Sequence, residues 1–197
     1  MVDRVSGAGI EGALKRYAIT EGLGAERALR FVAHNLERGV EMIQIREKAL
    51  GQEELRRLVA TVMGLPNPFG TKIVVNGPDA MGADGVHLPT LPLRRPRNAG
   101  LRPALLREQA GGLRYIGISC HSIPEVVAAE IGGADFVVFG PVFATGEKAP
   151  VGLEALRAAA SAVRIPVFAL GGVTEGNAAS CIAAGAAGIA GIRLFRP

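Results

Sequence analysis

Two stretches, Phe136-Val137-Val138-Phe139-Gly140-Pro141 and Val167-Phe168-Ala169-Leu170-Gly171-Gly172-Val173-Thr174, decide how the rest of the chain is read. Each opens on consecutive apolar residues, and a strand that is apolar on both faces needs cover on both sides, as in a parallel sheet jacketed by helices. A half-exposed antiparallel strand would alternate with polar residues instead. Between them, Leu153–Val163 carries apolar residues at helical spacing. The pair therefore reads as two parallel strands joined by a right-handed helical crossover.

Working outward, the same alternation recurs along the chain. Further strands are predicted at Tyr17–Thr20, Met42–Arg46, Lys72–Asn76, Gly85–His87, Tyr115–Ser119 and Gly188–Gly191, which with Phe136–Phe139 and Val167–Leu170 makes eight. Helices are predicted at Ala25–Arg38, Gln52–Met63, Ile123–Ile131, Leu153–Val163 and Thr174–Ala184. Ser122 before Pro124 and Glu125, and Thr174 before Glu175, supply N-cap and first-turn signals. The expected fold is α/β, a compact (β/α)8 TIM barrel forming one domain over residues 1–197. Only six residues follow the last strand, so the eighth helix is truncated. The segment Gly9–Arg16 or a partner subunit in a homodimer is the expected cover for that flank.

Composition narrows the function classes. Apolar residues make up 49% of the chain and charged ones 20%, with 27 glycines and no tryptophan, a balance of tightly turned α/β proteins. The N-terminus, MVDRVSGAGIEG, lacks the apolar core of a signal peptide, and no stretch of about 18 apolar residues exists to span a membrane. Cys120 and Cys181 show neither metal-ligand nor CxxC spacing, which suits idle thiols in a reducing cytoplasm. The net charge of +4 comes with no aromatic-plus-basic run, so anionic small molecules are expected rather than nucleic acid. Part of that charge sits in Arg94, Arg95, Arg97, Arg102 and Arg107, around the Pro/Arg-rich loop Leu91–Pro103.

In such barrels chemistry gathers at the C-terminal ends of the strands. The residues there are polar: Gln44, Arg46 and Lys48 at strand two, Asn76 at three, His87 at four, and Ser119 and His121 at five. Thr145 and Lys148 follow strand six, Gly171 and Gly172 strand seven, and Arg193 strand eight. Gln44 and Arg46 alternate with Ile43 and Ile45, so both point inward if the isoleucines face the helices. An inward arginine needs an anion, either Glu47 or a neighbouring carboxylate, or a bound phosphate held by its guanidinium fork. The glycine pair before Thr174 can bring backbone N–H groups onto a phosphate at a helix N-terminus, or can form a plain tight turn. His121 is a candidate general acid or base, because imidazole is the side chain that ordinarily titrates near neutrality. His87 is expected as a packed barrel residue and His34 on a helix surface.

Taken in order, Gln44-Ile45-Arg46-Glu47-Lys48, Asn76, Ala83-Asp84-Gly85-Val86-His87-Leu88, Gly117-Ile118-Ser119-Cys120-His121-Ser122, Gly133-Ala134-Asp135-Phe136, Gly140 through Thr145 with Lys148, and Pro166 through Thr174 resemble the thiamin phosphate synthase family, including its thiazole tautomerase (TenI) relatives. The resemblance implies a thiamin biosynthesis transferase that couples hydroxymethylpyrimidine diphosphate to thiazole phosphate. Pyrophosphate leaves, and the thiazole nitrogen captures the pyrimidine-stabilised cation. It implies that Gln44, Arg46, Lys48, Asn76, Ser119 and Lys148 hold the pyrimidine and pyrophosphate, while Thr145 and Gly172 contact the thiazole phosphate.

The resemblance also implies Mg²⁺, but the usual aspartate positions hold Gly77 and the Pro89–Pro92 segment. A re-aimed Asp79 is the remaining metal candidate, and the Arg94–Arg102 cluster is the alternative source of positive charge. Arg193 stands where the family commonly has a small residue. Two other readings remain: a metal-free tautomerase using His121 for proton transfer, and a non-catalytic phosphate-binding paralogue. An unrelated sugar-phosphate barrel would call for a pair of catalytic carboxylates at strand ends, which this sequence lacks.

Overall fold

The structure is a computed structural model that describes residues 15–90, 114–146 and 149–197. Eight parallel strands close into a barrel in sequence order: β1 (Lys15–Ile19), β2 (Met42–Ile45), β3 (Lys72–Asn76), β4 (Gly85–Leu88), β5 (Tyr115–Cys120), β6 (Phe136–Phe139), β7 (Val167–Ala169) and β8 (Gly188–Gly191). Pairing of Lys15 with Gly188 and of Ala18 with Gly191 joins β1 to β8 and leaves no free edge. Around them lie α1 (Ala25–Glu37), α2 (Gln52–Met63), α3 (Ile123–Ile131), α4 (Gly152–Ala162) and α5 (Glu175–Ala183). The predicted strands and helices are all present, with ends shifted by a residue or two. Residues 77–84, between β3 and β4, contain no helix. No helix among the described residues is long and apolar enough to cross a membrane.

Strand alternation sorts the core into an inside and an outside. Ile43, Ile45, Ile73 and Val75 pack outward with Phe31, Val32, Leu36, Leu58 and Val62 of α1 and α2. Val137, Val167, Ala169 and Ile189 pack outward with Val126, Leu156 and Cys181 of α3, α4 and α5. Tyr17, Ile19, Met42, Val74, Phe136, Val138, Phe168 and Ala190 form the inner cluster. Three of its rings meet edge-on: Tyr17 lies 5.6 Å from Phe136 and 5.8 Å from Phe168, and those two are 5.7 Å apart, centroid to centroid. Gly117 makes room for them, since a Cβ there would overlap both the Phe136 ring and the His87 imidazole.

The truncated end closes itself. After β8 the chain makes one 3-10 turn, Arg193–Phe195, and Phe195 inserts into the cluster formed by α1 and strands β1–β3. Asn35 of α1 is buried and donates from Nδ2 to the carbonyls of Phe31 at 2.8 Å and Phe195 at 3.0 Å, tying the turn to the helix. Arg196 pairs with Glu21 at the rim. Leu194 packs against both outer clusters. Of the segment Gly9–Arg16 expected as cover, Arg16 belongs to β1 and binds Glu41, and the part before Lys15 lies outside the described residues.

His87 is buried inside the barrel beside Tyr17. Burial, reinforced by the charge of Arg46, pushes its imidazole down to about 3, so it is neutral in the folded protein.

Two predictions follow from this packing. Phe195→Ala should cost about 3 kcal/mol, the low end for deleting a core aromatic because the ring keeps some exposure, read as a fall in the urea midpoint. Because the folded pKa of His87 is depressed, its stabilisation is complete above about pH 6.5 and is lost as pH falls toward 3. Unfolding free energy should drop by about 2 kcal/mol from pH 7 to pH 5 on this account, and His87→Gln should flatten that slope.

Candidate active site at the barrel mouth

The ends of β1 and β2 are locked first. Thr20, fully buried, accepts from the Arg46 amide through Oγ1 at 2.8 Å and donates its own amide to the Gln44 carbonyl at 3.0 Å. Glu47, also buried, accepts the amides of Gly22 at 3.1 Å and Gly24 at 2.8 Å, which straps the loop after β1 onto the end of β2. Glu47 is therefore not the counter-ion of Arg46. No acidic partner of the Arg46 guanidinium is found among the described residues.

Two cavities open at this end. The smaller, of about 270 Å³, is lined by Gln44, Arg46, Asn76, His87, Ser119 and His121, together with Ile19, Val138, Gly140, Leu170 and Ile192. Gln44 donates from Nε2 to Asn76 Oδ1 at 3.1 Å, joining the ends of β2 and β3. His87 bonds to Tyr17 Oη through Nδ1 at 3.0 Å and to Ser119 Oγ through Nε2 at 2.9 Å. The larger cavity, of about 760 Å³, is lined by Thr145, Gly171, Gly172, Val173, Thr174 and Arg193 among others. His121, Gly140, Leu170 and Ile192 line both cavities, so they form a common wall. Among the described residues, neither lining contains a carboxylate.

The larger cavity ends on an amide cradle. Gly171 and Gly172 sit at φ 94° and 64°, and a Cβ at Gly172 would press against Phe143 and the Ala144 carbonyl. Glycine is thus required by both backbone conformation and space. Asn177 of α5 donates to the Gly172 carbonyl at 3.0 Å and accepts the Thr174 amide at 2.8 Å, which turns the carbonyl of Gly172 inward to the helix. Among the described residues, no acceptor takes the amide hydrogens of Gly172 and Val173. Such free N–H groups before a helix N-terminus suit an anion. The exposed Arg193 lines the same cavity, also without an acidic partner among the described residues.

His121, exposed at the end of β5, donates from Nδ1 to the Gly140 carbonyl, which leaves Nε2 as its free nitrogen. Glu125 fixes the backbone there by accepting the amides of His121 at 2.6 Å and Ser122 at 3.2 Å. Cys120, next in the strand, is inert: burial first, and Glu125 second, push its thiol up to about 12.

The structure thus brings Gln44, Arg46, Asn76, Ser119 and His121 to one cavity and Thr145, Gly171, Gly172 and Arg193 to the other. Lys48 is exposed in the turn beyond β2 and lines neither cavity. Lys148 and the Arg94–Arg102 cluster lie outside the described residues. Asp79, the metal candidate, sits in the turn before β4 and lines neither cavity; its Oδ1 accepts the Met81 amide at 2.9 Å and its Oδ2 lies 3.5 Å from Arg56. No group of three or more His, Cys, Asp or Glu suited to a metal occurs among the described residues. The described donor set therefore does not fit a protein-held Mg²⁺. His87 is packed inside the barrel as expected, across from Gly117; its bonds to Tyr17 and Ser119 are what the sequence did not foretell.

A thiamine-phosphate synthase of Moorella thermoacetica is 37% identical over 180 residues, covering 87% of this chain and 82% of that one. Another, of Chlorobium luteolum, is 39% identical over 170 residues, covering 82% and 76%. The solved structure of thiamine phosphate pyrophosphorylase from Pyrococcus furiosus superposes with a TM-score of 0.74 at 33% identity, over 91% of this chain and 85% of that chain. The sequence profile of the thiamine monophosphate synthase family matches residues 16–195, from the first strand through the closing 3-10 turn. By that span and those identities, the chain belongs to the thiamine monophosphate synthase family.

Proposed function

We propose that this protein is a thiamin phosphate synthase that joins a pyrimidine diphosphate to a thiazole phosphate and releases pyrophosphate. The observation that carries this reading is the pair of adjoining cavities, one holding Arg46 and the other Arg193 with the Gly172–Val173 amides, divided by a common wall. Two anion-binding ends facing one seam suit a reaction between two phosphorylated substrates. A one-substrate proton transfer needs only one of them.

In this reading the pyrimidine occupies the smaller cavity, with Gln44, Asn76 and Ser119 on its polar edges. The bond between the pyrimidine methylene carbon and the pyrophosphate oxygen breaks, and the electron pair leaves with pyrophosphate. The thiazole nitrogen then supplies the electron pair for the new C–N bond. Charge grows on the leaving oxygen, so a preorganised cation there is the main catalytic demand. Arg46 meets it from the cavity wall, and the family resemblance adds Lys48 and Lys148 to the pyrophosphate. Thr145, Gly171, Gly172 and Arg193 hold the thiazole phosphate against the common wall. The substrates are soluble metabolites of the cytoplasm, and neither nucleic acid nor membrane is a partner.

The bond between His121 and the Gly140 carbonyl favours one alternative, a thiazole tautomerase in which the free Nε2 shuttles the proton.

The deciding experiment supplies both phosphorylated precursors to the purified protein, with Mg²⁺ and separately with chelator. Thiamin phosphate is the expected product. Arg46→Ala should lower kcat/KM by about 10²–10³, the scale for removing a preorganised donor to developing negative charge. Arg193→Ala should raise KM for the thiazole phosphate and spare that for the pyrimidine. Absence of product in both conditions, together with thiazole isomerisation that His121→Ala abolishes, would replace this reading with the tautomerase.

A further inference from the structure

We infer that Tyr17 and His87 are positioning residues that fix Ser119 as a hydrogen-bond donor toward the smaller cavity, where it meets a lone-pair acceptor on the ligand. The argument is one of proton accounting along a buried chain. Tyr17 is fully buried, and its hydroxyl has one hydrogen-bond partner among the described residues, His87 Nδ1 at 3.0 Å. A buried phenol whose proton found no acceptor would carry an uncompensated desolvation cost. The phenol therefore donates to Nδ1.

Burial keeps the phenol protonated and the imidazole neutral. A neutral imidazole has one N–H. With Nδ1 accepting, that hydrogen sits on Nε2 and points to Ser119 Oγ, 2.9 Å away. Ser119 accepts there, and its own hydroxyl proton is left for the cavity that it lines. Every direction in the relay follows from the one before it.

The packing holds these directions in place. The Tyr17 ring is wedged edge-on against Phe136 and Phe168, and His87 packs beside both Tyr17 and Phe136. Gly117 supplies the space for the imidazole. Close packing on these sides favours the observed placement of both rings.

The relay is a property of the ligand-free protein, and only the identity of the acceptor rests on the function proposed above. That acceptor is a nitrogen of a heteroaromatic ring or an oxygen of a phosphoryl group.

The first test is long-range ¹H–¹⁵N correlation of the protein carrying ¹⁵N-histidine, with His87 assigned by elimination in His34→Gln and His121→Gln. We expect His87 to be the Nε2–H tautomer, and Tyr17→Phe to mix or reverse it. An Nδ1–H tautomer in the unaltered protein would overturn the inference.

The second test is calorimetric binding of two probes, 4-aminopyrimidine and inorganic pyrophosphate. Ser119→Ala should weaken one of them by about three- to tenfold, the scale of one neutral hydrogen bond, and which probe responds identifies the acceptor. Tyr17→Phe should weaken the same probe, and the double variant should lie within about twofold of Ser119→Ala alone, because both act through one proton. Full additivity, or no effect on either probe, would overturn it. A sustained relay in a protein that forms no thiamin phosphate would sink the proposed reaction and leave the relay standing.

Discussion

The interior of an eight-stranded barrel has a volume set by strand number and tilt, and side chains must fill it without a void. Here Tyr17, Phe136 and Phe168 do most of the filling, and Gly117 yields the space that their rings and His87 require. Everything functional is built on top of that plug. It fixes the height at which Gln44, Asn76 and Ser119 become the floor of the smaller cavity, and it keeps His87 away from water while its two nitrogens stay bonded.

Above the floor, positive charge is arranged by denying it partners. Arg46 and Glu47 are neighbours on one strand end, and alternation sends them to opposite sides. The carboxylate is consumed by two loop amides and the guanidinium is left for the cavity. On the far side, Asn177 fixes the Gly172 carbonyl, so the peptide presents its N–H rather than its oxygen. These are second-layer bonds that a ligand never touches, and they determine which charge the cavity accepts.

Much of this was legible in the sequence. The doubly apolar runs at Phe136 and Val167 gave parallel strands, and the Ile43/Gln44/Ile45/Arg46 alternation gave the inward side of β2, because both rest on local periodicity. What escaped depends on contacts between residues distant in the chain. Nothing local to Glu47 says that it will clamp Gly22 and Gly24. Nothing local to Phe195 says that it will close the barrel, because its cover, α1, lies some 160 residues away by the Asn35–Phe195 bond. Nothing local to Asp79 says that its carboxylate will take the Met81 amide and lie beside Arg56. The roles of Lys48 and Lys148 rest on family resemblance alone.

Among the described residues the two cavity linings carry Arg46 and Arg193 and no carboxylate, and that imbalance reaches beyond bound geometry. Two uncompensated arginines at one concave, low-dielectric mouth project a field outward over about a Debye length, roughly 10 Å at 0.1 M salt. Anions arriving by diffusion are drawn to this end of the barrel before any hydrogen bond forms. Capture is thereby fast at low ionic strength and slows as salt is added, and the barrel selects by charge in the encounter before it selects by shape in the complex.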